Sequence, residues 1–372
     1  MTIYFDNGAT SFPKPELVYG EIEKTMRNSS NPGRSGHKMA LESSRIIYRT
    51  RELLAHLFSI NDPLNIVFTQ NCTDSLNLGI KGILKKGDHA ITTSMEHNSV
   101  IRPLKTLEDR GIIELTIVEG NKMGMVSCED IEEAIRPNTK MIITIHSSNV
   151  VGTLLPISKI GDLARKHKII YMVDAAQSAG IYDINVERTN IDLLAFPGHK
   201  GLLGPQGTGG LYIRKGLVLE TQREGGTGSQ SELLRQPHIM PDRYEGGTLN
   251  TMGIAGLGAG VKFILEEGLD NIRKQGENLS QYLIDGLSKI DNVIIYGTKD
   301  VNTQVPVVSI NIGEADPSEI SFILDNTYDI ACRSGLHCAP LAHKTIGTFD
   351  RGTIRFSMGY FNTMEEADRV IK

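Results

Sequence analysis

Apolar positions along this chain follow two rhythms. Segments 16–28 and 40–58 carry apolar residues at helical spacing and are separated by a polar, glycine-bearing loop at 31–36. Short β-branched runs then appear at 65–69, 90–93, 112–118, 141–145, 169–173, 193–196 and 209–213, alternating with helical segments. These runs lack clean alternation of apolar and polar positions, as strands buried on both faces do. The pattern predicts an α/β fold with a mostly parallel seven-stranded sheet flanked by helices.

Periodicity is lost at 221–247, where Gly, Gln, Ser and Pro concentrate, and a long functional loop is expected there. Helical spacing resumes at 251–267 and 271–289. Strand-like runs follow at 293–296 and 305–312, then a helix at 317–326, strands near 330–333 and 353–357, and a helical pattern from Thr363. This second series predicts a smaller α+β C-terminal domain. The expected division is an N-terminal segment, 1–15, packing on the small domain, a large domain, 16–250, and the small domain, 251–372.

Composition narrows the class. The chain has 372 residues, enough for two to three domains at about 150 residues each. With 40% hydrophobic and 22% charged residues it is not a disordered chain. The 39 Lys and Arg against 44 Asp and Glu leave a formal charge of -5, so no chain-wide positive field draws nucleic acid or anionic membrane. Apolar stretches reach only five or six residues, far short of the roughly 20 that span a bilayer. The N-terminus does not read as a secretory signal, and a cytoplasmic location is expected. Four cysteines without a C-x-x-C pair are expected to be reduced thiols.

Candidate chemistry gathers where strands end. Asp174 closes one apolar run, and the turn Gly198-His199-Lys200 follows the next. In an open parallel sheet, ligands collect at the carboxyl ends of strands. A carboxylate and a lysine there suit pyridoxal phosphate, with the amine forming a Schiff base and the carboxylate keeping the ring nitrogen protonated. Taken singly, Asp174 reads sooner as a helix cap and Lys200 as a solvated lysine in a glycine-rich turn. Asn71-Cys72-Thr73-Asp74-Ser75 opens a helix, either as a phosphate cradle or as an ordinary N-cap. His97 can stack a flat ring, shuttle a proton, or be structural.

Cys338 sits in a turn beside His337 and close to Arg333, surroundings that favour a thiolate, although a buried inert cysteine fits as well. The cluster His337, Cys338 and His343 lacks any standard paired-ligand spacing, so no metal site is expected. Arg355 lies inside an apolar strand and needs an anionic partner, either a substrate carboxylate or a structural Asp or Glu. Gly256-Leu257-Gly258-Ala259-Gly260 has a glycine spacing one residue short of a dinucleotide fingerprint and no strand before it, so helix packing is expected.

In order, these motifs resemble the class V aminotransferase group, specifically cysteine desulfurases and selenocysteine lyases. The resemblance runs from Tyr4-Phe5-Asp6-Asn7-Gly8-Ala9-Thr10 to Arg355-Phe356-Ser357 and beyond. It implies a fold type I pyridoxal-phosphate transferase in which the large domain binds the cofactor and the small one carries the nucleophilic cysteine. It makes Lys200 the Schiff-base lysine, Asp174 the partner of the ring nitrogen, Gln177 a contact of the ring hydroxyl, and His97 the stacking ring and proton carrier. Thr73, Asp74 and His199 fall among the cofactor-binding positions. Thr248, in Glu245-Gly246-Gly247-Thr248-Leu249-Asn250, matches a threonine reaching the neighbouring subunit's phosphate, so a homodimer with shared sites is implied. Asn149, Arg355, Arg333 and His37 fall on the substrate-binding side, and Cys338 on the sulfur-accepting cysteine.

The implied reaction converts L-cysteine to L-alanine and leaves a persulfide on Cys338 for transfer to an acceptor protein, with iron–sulfur cluster assembly among the outlets. Arg333-Ser334-Gly335-Leu336-His337-Cys338 resembles the branch with a short, ordered cysteine loop. Where many relatives carry a serine two residues before the His-Lys pair, this chain has Pro197, so one phosphate hydrogen bond is expected to be missing. Rival readings are selenocysteine lysis or β-elimination of a cysteine derivative on the same cofactor and, further off, a non-catalytic cofactor-binding scaffold.

Overall fold

The computed structural model describes residues 2–33 and 35–372. Met1 and Arg34 lie outside the described residues, Arg34 within the loop expected at 31–36. The strands are β1 (Ile3–Tyr4), β2 (Ile66–Thr69), β3 (Asp88–Thr93), β4 (Ile113–Val118), β5 (Thr139–Ile145), β6 (Ile170–Asp174), β7 (Leu193–Pro197), β8 (Gly209–Ile213), β9 (Val293–Tyr296), β10 (Val307–Ile312), β11 (Ile330–Ala331), β12 (Arg333–Gly335) and β13 (Thr353–Ser357). The helices are α1 (Glu16–Asn28), α2 (Lys38–Leu57), α3 (Cys72–Ile83), α4 (Asn98–Asp109), α5 (Cys128–Glu133), α6 (Ile157–Lys166), α7 (Thr251–Glu267), α8 (Leu269–Leu287), α9 (Pro317–Tyr328), α10 (Pro340–Ile346) and α11 (Met364–Ile371).

Seven strands form the main sheet in the order β2-β8-β7-β6-β5-β3-β4, in which only β8 runs against its neighbours. This is the mostly parallel sheet that the seven apolar runs predict. Their lack of alternation has a direct cause, since successive side chains enter two different cores. Tyr171, Val173, Leu194 and Phe196 join one cluster with residues of α2, α6 and α7. Met172, Leu193 and Ala195 join the other with residues of α3 and α4.

A second, antiparallel sheet has the order β12-β13-β10-β9. Its core includes Val308, Ile310, Ile354 and Phe356, with Leu279 and Leu283 of α8 and with Ile3 and Phe5 from the start of the chain. β1 pairs in parallel with β11, and Asp6 bridges to Ser357. The run expected as one strand at 330–333 is split at Cys332: β11 faces β1, whereas β12 joins the antiparallel sheet.

The buried face of α7 (Ile254, Leu257, Val261, Ile264) belongs to the large core. Its glycine stripe is packing surface. A Cβ on Gly258 would stand 2.5 Å from Thr50 Oγ1, and one on Gly260 would stand 2.4 Å from the Leu202 carbonyl. Segment 221–247 contains no helix or strand. Among the described residues, no helix is long and apolar enough to cross a membrane.

Candidate active site

β6 closes on Asp174 and β7 on Pro197, and the turn to Lys200 follows. Asp174 pairs in register with Ala195, which brings carboxylate and lysine to the same edge of the sheet. Both line one pocket together with Thr73, His97, Asn149, Gln177 and His199. Pro197 lies in the same wall.

Asp174 is buried, and its Oδ1 accepts from the Ala176 N–H at 2.9 Å and from the Cys72 thiol at 3.4 Å. Burial raises the Asp174 pKa; the Ala176 N–H, Lys200 and Cys72 oppose the rise. Burial, then Asp174, pushes the Cys72 thiol well up, so it stays protonated and acts as a donor. Lys200 moves the other way: burial first, then the Arg355 charge, lowers its pKa, against the pull of Asp174. Its amine has no acceptor among the described residues.

Two helix N-termini meet beside this pair. Asn71 caps α3 by accepting from the Asp74 N–H at 3.0 Å, while His97 caps α4 by accepting from the Ser99 N–H at 3.1 Å. The hydroxyls of Thr73 and Ser99 lie 2.8 Å apart across the junction. Each helix has 12 residues, so the positive ends of two helix dipoles converge on one spot suited to an anion. His199 adds a buried Nδ1 with no partner. Accepting at Nδ1 leaves the His97 ring neutral with its proton on Nε2. Burial, reinforced by Lys200, Arg333, Arg102 and Arg355, lowers its pKa to about 4.

Arg355 of β13 is 1% exposed. Its Nη2 donates to Asp6 Oδ1 at 2.8 Å and its Nη1 to the Asn149 carbonyl at 2.9 Å, while Nε is buried without a partner. Of the two kinds of anionic partner expected from the sequence, the chain thus provides a structural one and leaves one nitrogen open. Gln177 donates to the Gly8 carbonyl at 3.0 Å. The Cys338 loop crosses to the same region. Its carbonyl accepts from the Asn98 N–H at 2.8 Å, Arg333 Nη2 lies 3.6 Å from Cys338 Sγ, and the thiol is exposed.

Arg355, Arg333 and Cys338 stand outside the pocket lining itself, tied to it through Asn149 and Asn98, and three further expected positions have other surroundings. Asp74 is in the first turn of α3, 3.9 Å from Arg223. His37 is exposed and caps α2, accepting from the Ala40 N–H at 3.3 Å. Thr248 lines a separate pocket with Tyr48, Arg51 and Glu245. The root of its segment is fixed, because buried Glu245 pairs with Arg51 and accepts from the Phe68 N–H at 2.6 Å. Sequence reasoning missed Asp6, Cys72, Asn98 and Ser99 as site residues. Ser99 had a usable signal, a hydroxyl two residues after His97 at a helix start; Asp6 had none, since its partner is 349 residues away. Among the described residues, no cluster of His, Cys, Asp or Glu is arranged to hold a metal.

The donor set fits a phosphorylated ring with a basic nitrogen and an amine-reactive carbon. Convergent helix ends and an orphaned imidazole nitrogen suit the phosphate, buried Asp174 gains from a cation set beside it, and Lys200 has a free amine.

Comparison with known proteins gives a consistent picture. The aminotransferase class-V family model matches residues 3–370. A probable cysteine desulfurase of Methanothermobacter thermautotrophicus is 33% identical over 371 residues, covering 98% of this chain and 92% of that protein. Cysteine desulfurase IscS of Vibrio campbellii is 31% identical over 389 residues, covering 100% and 91%. The apo structure of cysteine desulfurase from Thermococcus onnurineus NA1 superposes with a TM-score of 0.94 at 33% identity, covering 100% of this chain and 93% of that one.

Proposed function

Since the chain belongs to the class V aminotransferase family, we propose that it is a pyridoxal-phosphate-dependent cysteine desulfurase, converting L-cysteine to L-alanine and a persulfide on Cys338. The observation that carries this reading is the meeting, in one pocket, of Lys200 and Asp174 at adjacent strand ends, with the Cys338 loop hydrogen-bonded to α4 beside His97. Lys200 and Asp174 would hold the cofactor's reactive carbon and ring nitrogen, and the α3 and α4 ends with His199 would hold its phosphate. When bound, pyridoxal phosphate supplies an electron sink for charge developing at the substrate Cα.

The chain's own groups do the rest. Arg355, through its open Nε, and Asn149 orient the substrate carboxylate. Lys200, its basicity lowered by burial, moves the Cα proton. Neutral His97 carries a proton at Nε2. The Cys338 sulfur, as thiolate, bonds to the substrate sulfur while the C–S bond breaks; the carbon keeps that electron pair and takes a proton. One alanine and one enzyme persulfide result, with no external oxidant or reductant.

The same reading makes the enzyme a homodimer in which Thr248 serves the neighbouring cofactor, which accounts for a threonine rooted firmly outside its own pocket. A protein acceptor removes the sulfur, with iron–sulfur cluster assembly as its outlet. Residues 16–250 form the cofactor domain and 251–372 the cysteine-bearing one, with residues 1–15 packed on the latter and α7 bridging the two. Four free thiols accord with a cytoplasmic location.

The test is an absorbance spectrum of the purified protein before and after L-cysteine, with alanine assayed in the same tube. A visible band that shifts as alanine accumulates is expected. A protein that pyridoxal phosphate cannot render yellow, or a yellow one that makes no alanine, contradicts the proposal.

A further inference from the structure

His337 and Cys338 are consecutive and both left-handed, with φ of 48° and 58°. Residues bearing a Cβ disfavour that region, and two in succession persist only where surrounding contacts hold them. Two of these contacts come from the large domain and each grips one carbonyl, while His337 Nε2 is also 3.1 Å from Thr353 Oγ1 of β13. The Cys338 carbonyl accepts from the Asn98 N–H at 2.8 Å. The His337 carbonyl accepts from Asn149 Nδ2 at 2.7 Å. Because the acceptor is a carbonyl, the amide must present its nitrogen, which leaves Asn149 Oδ1 buried without a partner.

Asn149 itself stands on a stiff turn. Ser148 Oγ accepts from the N–H groups of Val150 and Val151 at 3.2 and 3.3 Å, Ser309 Oγ donates to the Val150 carbonyl at 2.5 Å, and Asn149 is 4% exposed. Its carbonyl receives Arg355 Nη1. The residue that faces the substrate carboxylate through Arg355 is therefore also the one that holds the loop of the nucleophile, 188 residues away.

Resting on the desulfurase reading for its consequence but not for its geometry, we propose that Asn149 is a positioning residue for Cys338. Its side chain fastens the left-handed turn at His337, so that substrate seated against Arg355 finds the thiol at a fixed place. Loss of the amide frees the loop, and the substrate C–S bond then breaks the other way: the sulfur keeps the electron pair and leaves as hydrosulfide, while the carbon skeleton takes up water and leaves as pyruvate and ammonia in place of alanine. A residue that only binds the substrate carboxylate would raise KM and leave both loop order and sulfur capture intact.

The experiment compares the holoenzyme with its Asn149→Ala and Asn149→Gln forms. The first readout is amide hydrogen exchange without substrate. The Asn98 N–H donates to the Cys338 carbonyl, so its protection reports whether the loop is fastened. About tenfold or greater acceleration at Asn98 in Asn149→Ala is expected, with exchange in β5 and β6 unchanged. The second readout is the division of sulfur between Cys338 persulfide and free sulfide after L-cysteine, which should move severalfold toward sulfide, with kcat for persulfide formation falling more than KM rises. Asn149→Gln, which keeps the amide, should recover part of the protection. Unchanged Asn98 exchange in Asn149→Ala overturns the proposal, as does a change confined to KM. A parent enzyme that forms no persulfide removes the desulfurase reading alone, because the exchange result still decides whether Asn149 fastens the loop.

Discussion

The two halves of the site are built by different means. Around Lys200 and Asp174 the functional groups sit on strand ends and helix caps, held by the register of the main sheet and by short-range bonds such as Asn71 to Asp74 and His97 to Ser99. Around Cys338 the backbone is left-handed at two successive residues, and its anchors, Asn98 and Asn149, come from another part of the chain. Such residues cost on the order of 1–3 kcal/mol each. The first half is a rigid cradle for the electron-handling chemistry. The second is a clip fastened by Asn98 and Asn149, which under the proposed function holds the sulfur acceptor.

That contrast orders the expected effects. The largest follows Lys200→Ala, which should lower alanine formation by about 100- to 10,000-fold, the range for loss of a positioned acid–base group, while amide exchange at Asn98 stays as in the parent. Loss of loop protection in that variant would show that the halves are not separable. An intermediate effect concerns the floor of the cradle, where buried Glu96 accepts from Thr93 Oγ1 at 2.6 Å and from the Ile145 N–H at 2.9 Å. Burial pushes its pKa from 4.5 to about 8. The folded state therefore holds a proton that the unfolded chain has released, so Glu96 favours folding fully below about pH 4.5 and loses that contribution as pH rises through about 8. Melting of the parent and of Glu96→Gln between pH 5 and 8 should show the variant gaining on the parent as pH rises, by on the order of a few degrees. A gap independent of pH would mean that Glu96 is ionised in the folded enzyme. The smallest effect is expected of Thr248→Ala: faster loss of pyridoxal phosphate on dilution, by a few-fold, at unchanged melting temperature.

The sequence made the cradle legible for a physical reason. Asp174 and Lys200 each follow an apolar strand within a few residues, and a mostly parallel sheet aligns the ends of such strands, so local pattern and topology together place them. The α7 glycines were readable too, since no strand precedes them. What escaped depends on long-range contact. Asp6 as the partner of Arg355, Cys72 as a donor to Asp174, and Asn149 on the His337 carbonyl join residues 102 to 349 positions apart, and no periodicity encodes such pairs. The break at Cys332 was hidden for the same reason, because one extended run divides its hydrogen bonds between two sheets. Thr248 shows a different limit: its sequence motif is plain, yet its neighbours within the chain are Arg51 and Glu245 rather than Lys200.

The central claim is that chemistry at Lys200 ends as a sulfur atom on Cys338. The most direct measurement is the mass of the Cys338 peptide after one equivalent of L-cysteine is added to the holoenzyme in the absence of reductant. The account predicts a gain of one sulfur atom on that peptide, matched by one alanine per site, with Cys72, Cys128 and Cys332 unmodified. Alanine formed with no added sulfur on Cys338, or with the sulfur on another cysteine, would contradict it.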